Sequence, residues 1–441
     1  MPQPFIVRAL LMAGLVVAST IPALAQTEAP ARQYQGVFGR ITENPNSRQQ
    51  MDLTVSLYGG YDDNVLADEG GVGNPAFMRS GWLTGLSGDL SYARQLRRVS
   101  LGVRGGTYLR YMPAFKKFIS VSQASGAIDF SASLSSSTRL HAAQSLAHRP
   151  YRHLLFFPGA FLPAETGEAA LPDIDFVLSG RQVLASSTVV GLTHTLSRRS
   201  SVSLTYGLHL TDSRGRELDH RDQHAGVRYT RNVTKYLSLR LGYGYRHARH
   251  SFAARPTRSH DLDIGADYHR ALSFSRNTSV SFGTGTSILR SERVEDGSGD
   301  QPTRYLMRGA ATLNHEIGRS WTAALGYYRG LQFIDGLAEP VLSDSVSARL
   351  GGYLGPRVGV FALAGYSRGE MGLRRAAPRY EAYMASAGVR VALNRHVGIY
   401  SQYAVYLSEF PEGIRVPLGL SRQIERHGVR AGLTFWAPVL R

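Results

Sequence analysis

LSLRLGYGYR, residues 237–246, is a two-faced stretch. Leu237, Leu239, Leu241, Tyr243 and Tyr245 share one parity, and Ser238, Arg240, Gly242, Gly244 and Arg246 share the other. Successive side chains of a strand point to opposite faces, so one side is apolar and aromatic-ended while the other is small and cationic. A soluble sandwich could use such a strand once or twice. Here the pattern recurs along the chain with no helical stretch between copies, which implies a closed barrel standing in lipid. Arg240 and Arg246 would then face a wet interior.

The alternation opens at Leu53, Val55 and Leu57 and returns in Val99, Leu101 and Val103, in Val202, Leu204, Tyr206 and Leu208, and in Leu262, Ile264 and Ala266. It closes with Val429, Ala431, Leu433 and Phe435. The count is about 18 strands. Short connections recur, such as QLRR at 95–98, SRRS at 197–200, IGRS at 317–320 and LGPR at 354–357. Long ones lie between them, at 63–79, 149–177, 291–302, 368–378 and 408–423. Short periplasmic turns alternating with long external loops mark a transmembrane antiparallel β-barrel of the outer-membrane type, and an even count puts both termini on the periplasmic side. Backbone polar groups must be paired within hydrocarbon, so strands span only as a closed ring.

The bulk properties agree. Arg8, an apolar run and the small-residue site at 23–25 read as a signal peptide over 1–25. Residues 26–50 are polar and interrupted by prolines, which reads as a periplasmic lead-in; a short plug in the lumen is the alternative. Residues 51–441 would form the barrel. The net charge is +17 and there is no cysteine. Export makes nucleic acid an unsuitable partner for the positive charge. Outer-membrane lipid, lipopolysaccharide phosphates or an anionic permeant remain. Stability must come from a source other than disulfides, such as a closed hydrogen-bond network.

Parity places nine arginines on the inward side: Arg104, Arg110, Arg228, Arg240, Arg246, Arg308, Arg349, Arg390 and Arg430. Six acids join them: Asp89, Asp129, Asp261, Asp263, Asp267 and Glu316. These fifteen are the candidate pore-lining charges. Their excess of arginine favours anions if the lumen is open. Cross-strand pairing that stiffens the wall is the competing role, with Arg104 and Arg110 flanked by Asp89 and Asp129.

The longest loop contains Leu154, Leu155, Phe156, Phe157 and Phe161, too apolar for a freely solvated segment. It is the candidate constriction; packing on the rim or a surface adhesive patch are its alternatives. Asp62, Asp63 and Asn64 could offer oxygen ligands to calcium, but their spacing completes no loop motif and strand-end turn chemistry accounts for them. His148, His153, Asp212, His220, His250 and His260 fall near strand ends without a catalytic or metal-ligand spacing, so no enzyme, metal or cofactor is expected.

The first strand ending in GYDDNV at 60–65, the basic alternating hairpins and the lack of a soluble domain together resemble the β-barrel porin 2 family. That family includes outer-membrane barrels linked to exopolysaccharide operons. The resemblance implies a channel, an acidic exopolysaccharide as its cargo and a polysaccharide-export system as a partner, with the barrel assembly machinery as the partner in folding. A general anion-preferring porin and a non-conducting structural or adhesive barrel are the other readings. One departure concerns the C-terminus. Outer-membrane barrels usually end on an aromatic residue, whereas Phe435 and Trp436 are followed here by Ala-Pro-Val-Leu-Arg.

Overall fold

The computed structural model describes residues 36–39, 48–64, 80–113, 117–150, 182–213, 219–250, 257–272, 275–290, 303–332, 341–371, 379–410 and 423–440. Their strands, in chain order, are β1 (Gln49–Asp62), β2 (Gly81–Gln95), β3 (Val99–Met112), β4 (Lys117–Ser133), β5 (Thr138–Pro150) and β6 (Gln182–Ser197). Next come β7 (Ser200–Ser213), β8 (His220–Asn232), β9 (Leu237–His250), β10 (Thr257–Leu272), β11 (Ser275–Arg290) and β12 (Thr303–Ile317). The series ends with β13 (Trp321–Gln332), β14 (Val341–Leu354), β15 (Val358–Met371), β16 (Arg379–Ala392), β17 (Val397–Glu409) and β18 (Gln423–Leu440). Each pairs antiparallel with its neighbours in sequence, and β1 pairs with both β2 and β18. The 18-stranded sheet is therefore closed and has no free edge.

Register fixes the two faces. Leu53, Leu57 and Tyr61 on β1 lie opposite Leu90, Leu86 and Trp82 on β2, and all six side chains are exposed. The intervening rows pair Ser56 with Ser87 and Thr54 with Asp89. These two strands spend their leucines on the outer face, which only lipid can cover without cost. The parity of β15, ambiguous in the sequence, follows from its partners. Val360 lies opposite Val389 on the outer side, while Phe361 and Leu363 face Gly388 and Ser386 on the inner side.

The turns fall where the short connections sit in the sequence. Gly318 and Gly355 adopt positive φ (64° and 72°), which glycine supplies without steric cost and which lets IGRS and LGPR reverse the chain tightly. The connection between β10 and β11 is as short as that between β6 and β7, with only residues 273 and 274 between the strands. The last strand takes in the tail that follows Trp436. β18 does not stop at Trp436 but runs to Leu440, with a register shift at Met51 and Asp52 that lets Pro438 and Leu440 stay paired to β1.

The start of the chain also departs from a plain lead-in. Gln49 and Gln50 already belong to β1. Residues 36–39 are docked at the short-turn end: the Val37 amide donates to the Pro356 carbonyl (2.8 Å) and the Gly39 amide to the Arg395 carbonyl (3.0 Å). Phe38 is buried against Ala392 and Trp436 on the inner face, beneath the Arg390 guanidinium 5.1 Å from its ring. Leu154, Leu155, Phe156, Phe157 and Phe161 lie outside the described residues.

Candidate functional site

The inner wall of β8 to β12 carries the densest group of charges. Register puts Arg228 opposite Gly242, Arg240 opposite Gly265, Asp263 opposite Gly242 and Arg308 opposite Gly285. Glycine beside each charge leaves room for a side chain to lie flat on the wall. The inner face of a barrel is concave, so side chains two strands apart converge. Asp263 on β10 illustrates this: its carboxylate is 3.1 Å from Arg240 on β9, 3.4 Å from Arg228 on β8 and 3.5 Å from Arg308 on β12.

Arg240 is the other hub. Its Nε donates to both carboxylate oxygens of Asp263 (3.1 and 3.2 Å), its Nη1 to Asp267, and its Nη2 to the Thr284 carbonyl (2.9 Å). The glycines around it are spatial requirements. A Cβ at Gly283 would stand 2.6 Å from an Asp267 oxygen, and one at Gly285 would stand 2.7 Å from an Asp263 oxygen. The GTGT run at 283–286 is therefore the floor of a guanidinium–carboxylate network, a role that no sequence motif announces.

Arg308 also pairs with Asp261 (2.9 Å), and Arg246 pairs with Asp222 (3.4 Å). Within this network four arginines face four aspartates, and Glu316 adds an acid at the short-turn end of β12. Asp222 is inward by register and was not among the expected acids. Further round the barrel, Arg104 bonds Asp129 at 2.8 Å, as their neighbouring strands allow, yet the Arg104 side chain keeps 67% of its exposure. Asp89 lies opposite Thr54 and Gly106, and Arg110 is buried opposite Gly85. Arg349 sits on the inner face opposite Ala324, and Glu316 opposite Thr322. Arg430 donates to Gln402 Oε1 (3.1 Å) and lies over the Tyr58 ring, while Arg390 covers Phe38. All fifteen expected charges thus fall on the inner face, and the arginines are held in partnerships there.

The opposite wall is built differently. On β16, β17, β18 and β1 the inward positions are buried rather than half-exposed, and Tyr58, Tyr380, Tyr400 and Tyr406 dominate them. Gly85 has its Cα directly under Tyr58, where a Cβ would come within 2.2 Å of the ring. Asp62, Asp63 and Asn64 are spent on strand β18. Asp62 binds the buried Arg426, Asp63 accepts from the His427 amide (2.7 Å), and Asn64 donates to the Glu425 carbonyl (2.9 Å). GYDDNV is a seam clasp in this fold.

A closed antiparallel barrel with an apolar outer belt, a polar inner wall and short turns at one end is the architecture of bacterial outer-membrane proteins. No family model matches the chain, and no curated protein matches it. Solved structures that align with it include OpdO of Pseudomonas aeruginosa, at 13% identity over 89% of this chain and 97% of that one, with a TM-score of 0.43. OccK2 (OpdF) of the same organism, solved in complex with glucuronate, aligns at 11% identity over 89% and 97%, with a TM-score of 0.44. OccAB4 of Acinetobacter baumannii aligns at 10% identity over 90% and 100%, with a TM-score of 0.42. These are likenesses of barrel to barrel, and no residue of the site is carried across from them.

Proposed function

We propose that the chain is a passive outer-membrane channel for anionic solutes, small carboxylates or the acidic segments of an exported polysaccharide. The observation that supports this reading is the network around Arg240 and Asp263. An arginine has five N–H donors in a fixed fork, so one guanidinium can hold a wall carboxylate and a second acceptor at once, as Arg240 does. Asp263 is held by three arginines, so it keeps a partner when one of them turns to an entering carboxylate. Spaced sites of that kind favour entry and still allow exit. Arginines and aspartates balance within the network, so the anion preference comes from the inward arginines elsewhere on the wall and should be modest rather than strong.

Purified protein in a planar bilayer under a salt gradient tests the proposal. The expected result is conductance with a reversal potential of the anionic sign, reduced by an acidic polysaccharide such as polygalacturonate added to one side. Cation preference would overturn the lining argument. Block by the polymer but not by the monomeric acid would favour export as the role.

A non-conducting structural barrel is the second reading. The buried tyrosine wall and the docked Phe38 favour it, and absence of conductance from correctly folded protein would select it.

A further inference from the structure

We propose that the outer end of β8, β9 and β10 carries a docking site, on the lipid-facing side, for the phosphates of a lipid A-type glycolipid. This rests on the outer-membrane reading, which makes the long-loop end of the barrel the external one. Cross-strand partners on the outer face define rows at successive depths. From the short-turn end they run Leu239 with Ala266, Leu241 with Ile264, Tyr243 with Leu262, and Tyr245 with His260. The next rows bring His247 opposite Arg258, then Arg249 opposite Arg221. The strand therefore passes from aliphatic through aromatic to basic. Successive rows are about 5 Å apart in depth for a strand rising ~3.3 Å per residue at a tilt of ~40°. The basic rows then stand just above the aromatic girdle, at the level of lipid headgroups.

Charge balance makes these rows unusual on this barrel. Arg221 and Arg249 are exposed, lie directly opposite one another, and have no ion-pair partner among the described residues. Like charges opposed across a ladder destabilise it, unless an anion sits between them. The described outward positions of β8, β9 and β10 contain no acid. Asp219, just before β8, is taken up by the amide and hydroxyl of Ser213 (2.8 and 3.1 Å). The rim of β13 to β16 is the counter-example. There Arg329 bonds Asp344 (2.8 Å), Arg368 lies 3.7 Å from Glu381, and Arg379 bonds Glu370 (3.0 Å). That rim satisfies its cations internally; the β8–β10 rim leaves two guanidiniums facing the membrane. A diphosphorylated glycolipid supplies acceptors matching the arginine forks and acyl chains that cover Leu241, Tyr243 and Ile264 below.

The test compares the refolded barrel with its Arg221→Ser/Arg249→Ser variant by native mass spectrometry and thermal midpoint, adding lipid A, dephosphorylated lipid A or phosphatidylglycerol. Lipid A should bind the parent at least about tenfold more tightly than either other lipid, and the double variant should lose that margin. Arg221→Lys/Arg249→Lys should retain part of it, which separates charge from misfolding. Equal binding of the dephosphorylated form or of phosphatidylglycerol, or an unchanged margin in the serine variant, would overturn the site. These side chains face away from the lumen, so conductance should be the same in parent and variant. A silent channel would therefore count against the proposed function and leave the lipid result standing.

Discussion

Arg426 and Asp62 form a buried, forked ion pair across the junction of the last strand and the first: Arg426 Nε donates to both carboxylate oxygens at 3.0 and 2.9 Å, and Nη2 also reaches the carboxylate. The Arg426 side chain is 1% exposed. Closure of this barrel depends on β1 finding β18, and the pair sits where the ring would otherwise part. Removing one member leaves the other charge buried and unpaired, which costs several kcal/mol. Replacing both with apolar residues removes the desolvation penalty as well. Asp62→Asn should therefore lower unfolding stability by roughly 3 kcal/mol, and Asp62→Leu/Arg426→Met should recover most of it. Urea midpoints in detergent micelles would show this; equal loss in the single and double variants would mean that the seam does not depend on this pair.

Arg240→Ser removes the donor shared by Asp263 and Asp267 and leaves those carboxylates without their nearest cation. The wall should become net acidic. The reversal potential in a salt gradient should move toward cation preference, and Arg240→Lys should shift it less. An unchanged potential would place the permeation path away from β9 and β10.

Gly285→Val tests the same wall without touching a charge. The added side chain would occupy the position of the Asp263 carboxylate, so the network must open. We expect a selectivity change in the direction of Arg240→Ser and a fall in stability of about 1–3 kcal/mol from overpacking. Stability loss with unaltered selectivity would show that the carboxylate had found another seat.

The three tryptophans report on orientation. Trp82 is on the outer face with 70% of its surface exposed, whereas Trp436 is buried on the inner face against Phe38. In brominated-lipid vesicles Trp82 should be strongly quenched and Trp436 spared, each measured with the other tryptophans replaced by Phe. Phe38→Ala should then red-shift Trp436 emission and leave Trp82 unmoved. Quenching of Trp436 would reverse the face assignment of β18.

Much of this was legible in the residue order. The two parities of residues 237–246 are the two faces of β9, and the tetrapeptides at 197–200, 317–320 and 354–357 hold the turns from β6 to β7, β12 to β13 and β14 to β15, because a lipid-spanning strand must alternate and a tight reversal needs turn-forming residues. Curvature was not legible. Nothing in the order of residues shows that Asp263 reaches Arg228 and Arg308 two strands away, since that follows from the concavity of a closed wall. Nor does it show Asp62 beside Arg426, which are brought together only by the first strand meeting the last. The polar start of the chain hid Phe38 because one aromatic in a proline-broken segment has no periodicity to betray it. The tail beyond Trp436 departs from the usual aromatic end, and only the register shift shows that it stays paired.

The Phe38 contact has a temporal side. Phe38 lies early in the chain, whereas Ala392, Arg395 and Trp436, against which it and Gly39 are held, lie near the other terminus. The seat is built from β16, β18 and the turns at Pro356 and Arg395, so it cannot exist before the last strand has been made. Its occupation is a record, written at the short-turn end of the molecule, that the start of the chain has found its final strands.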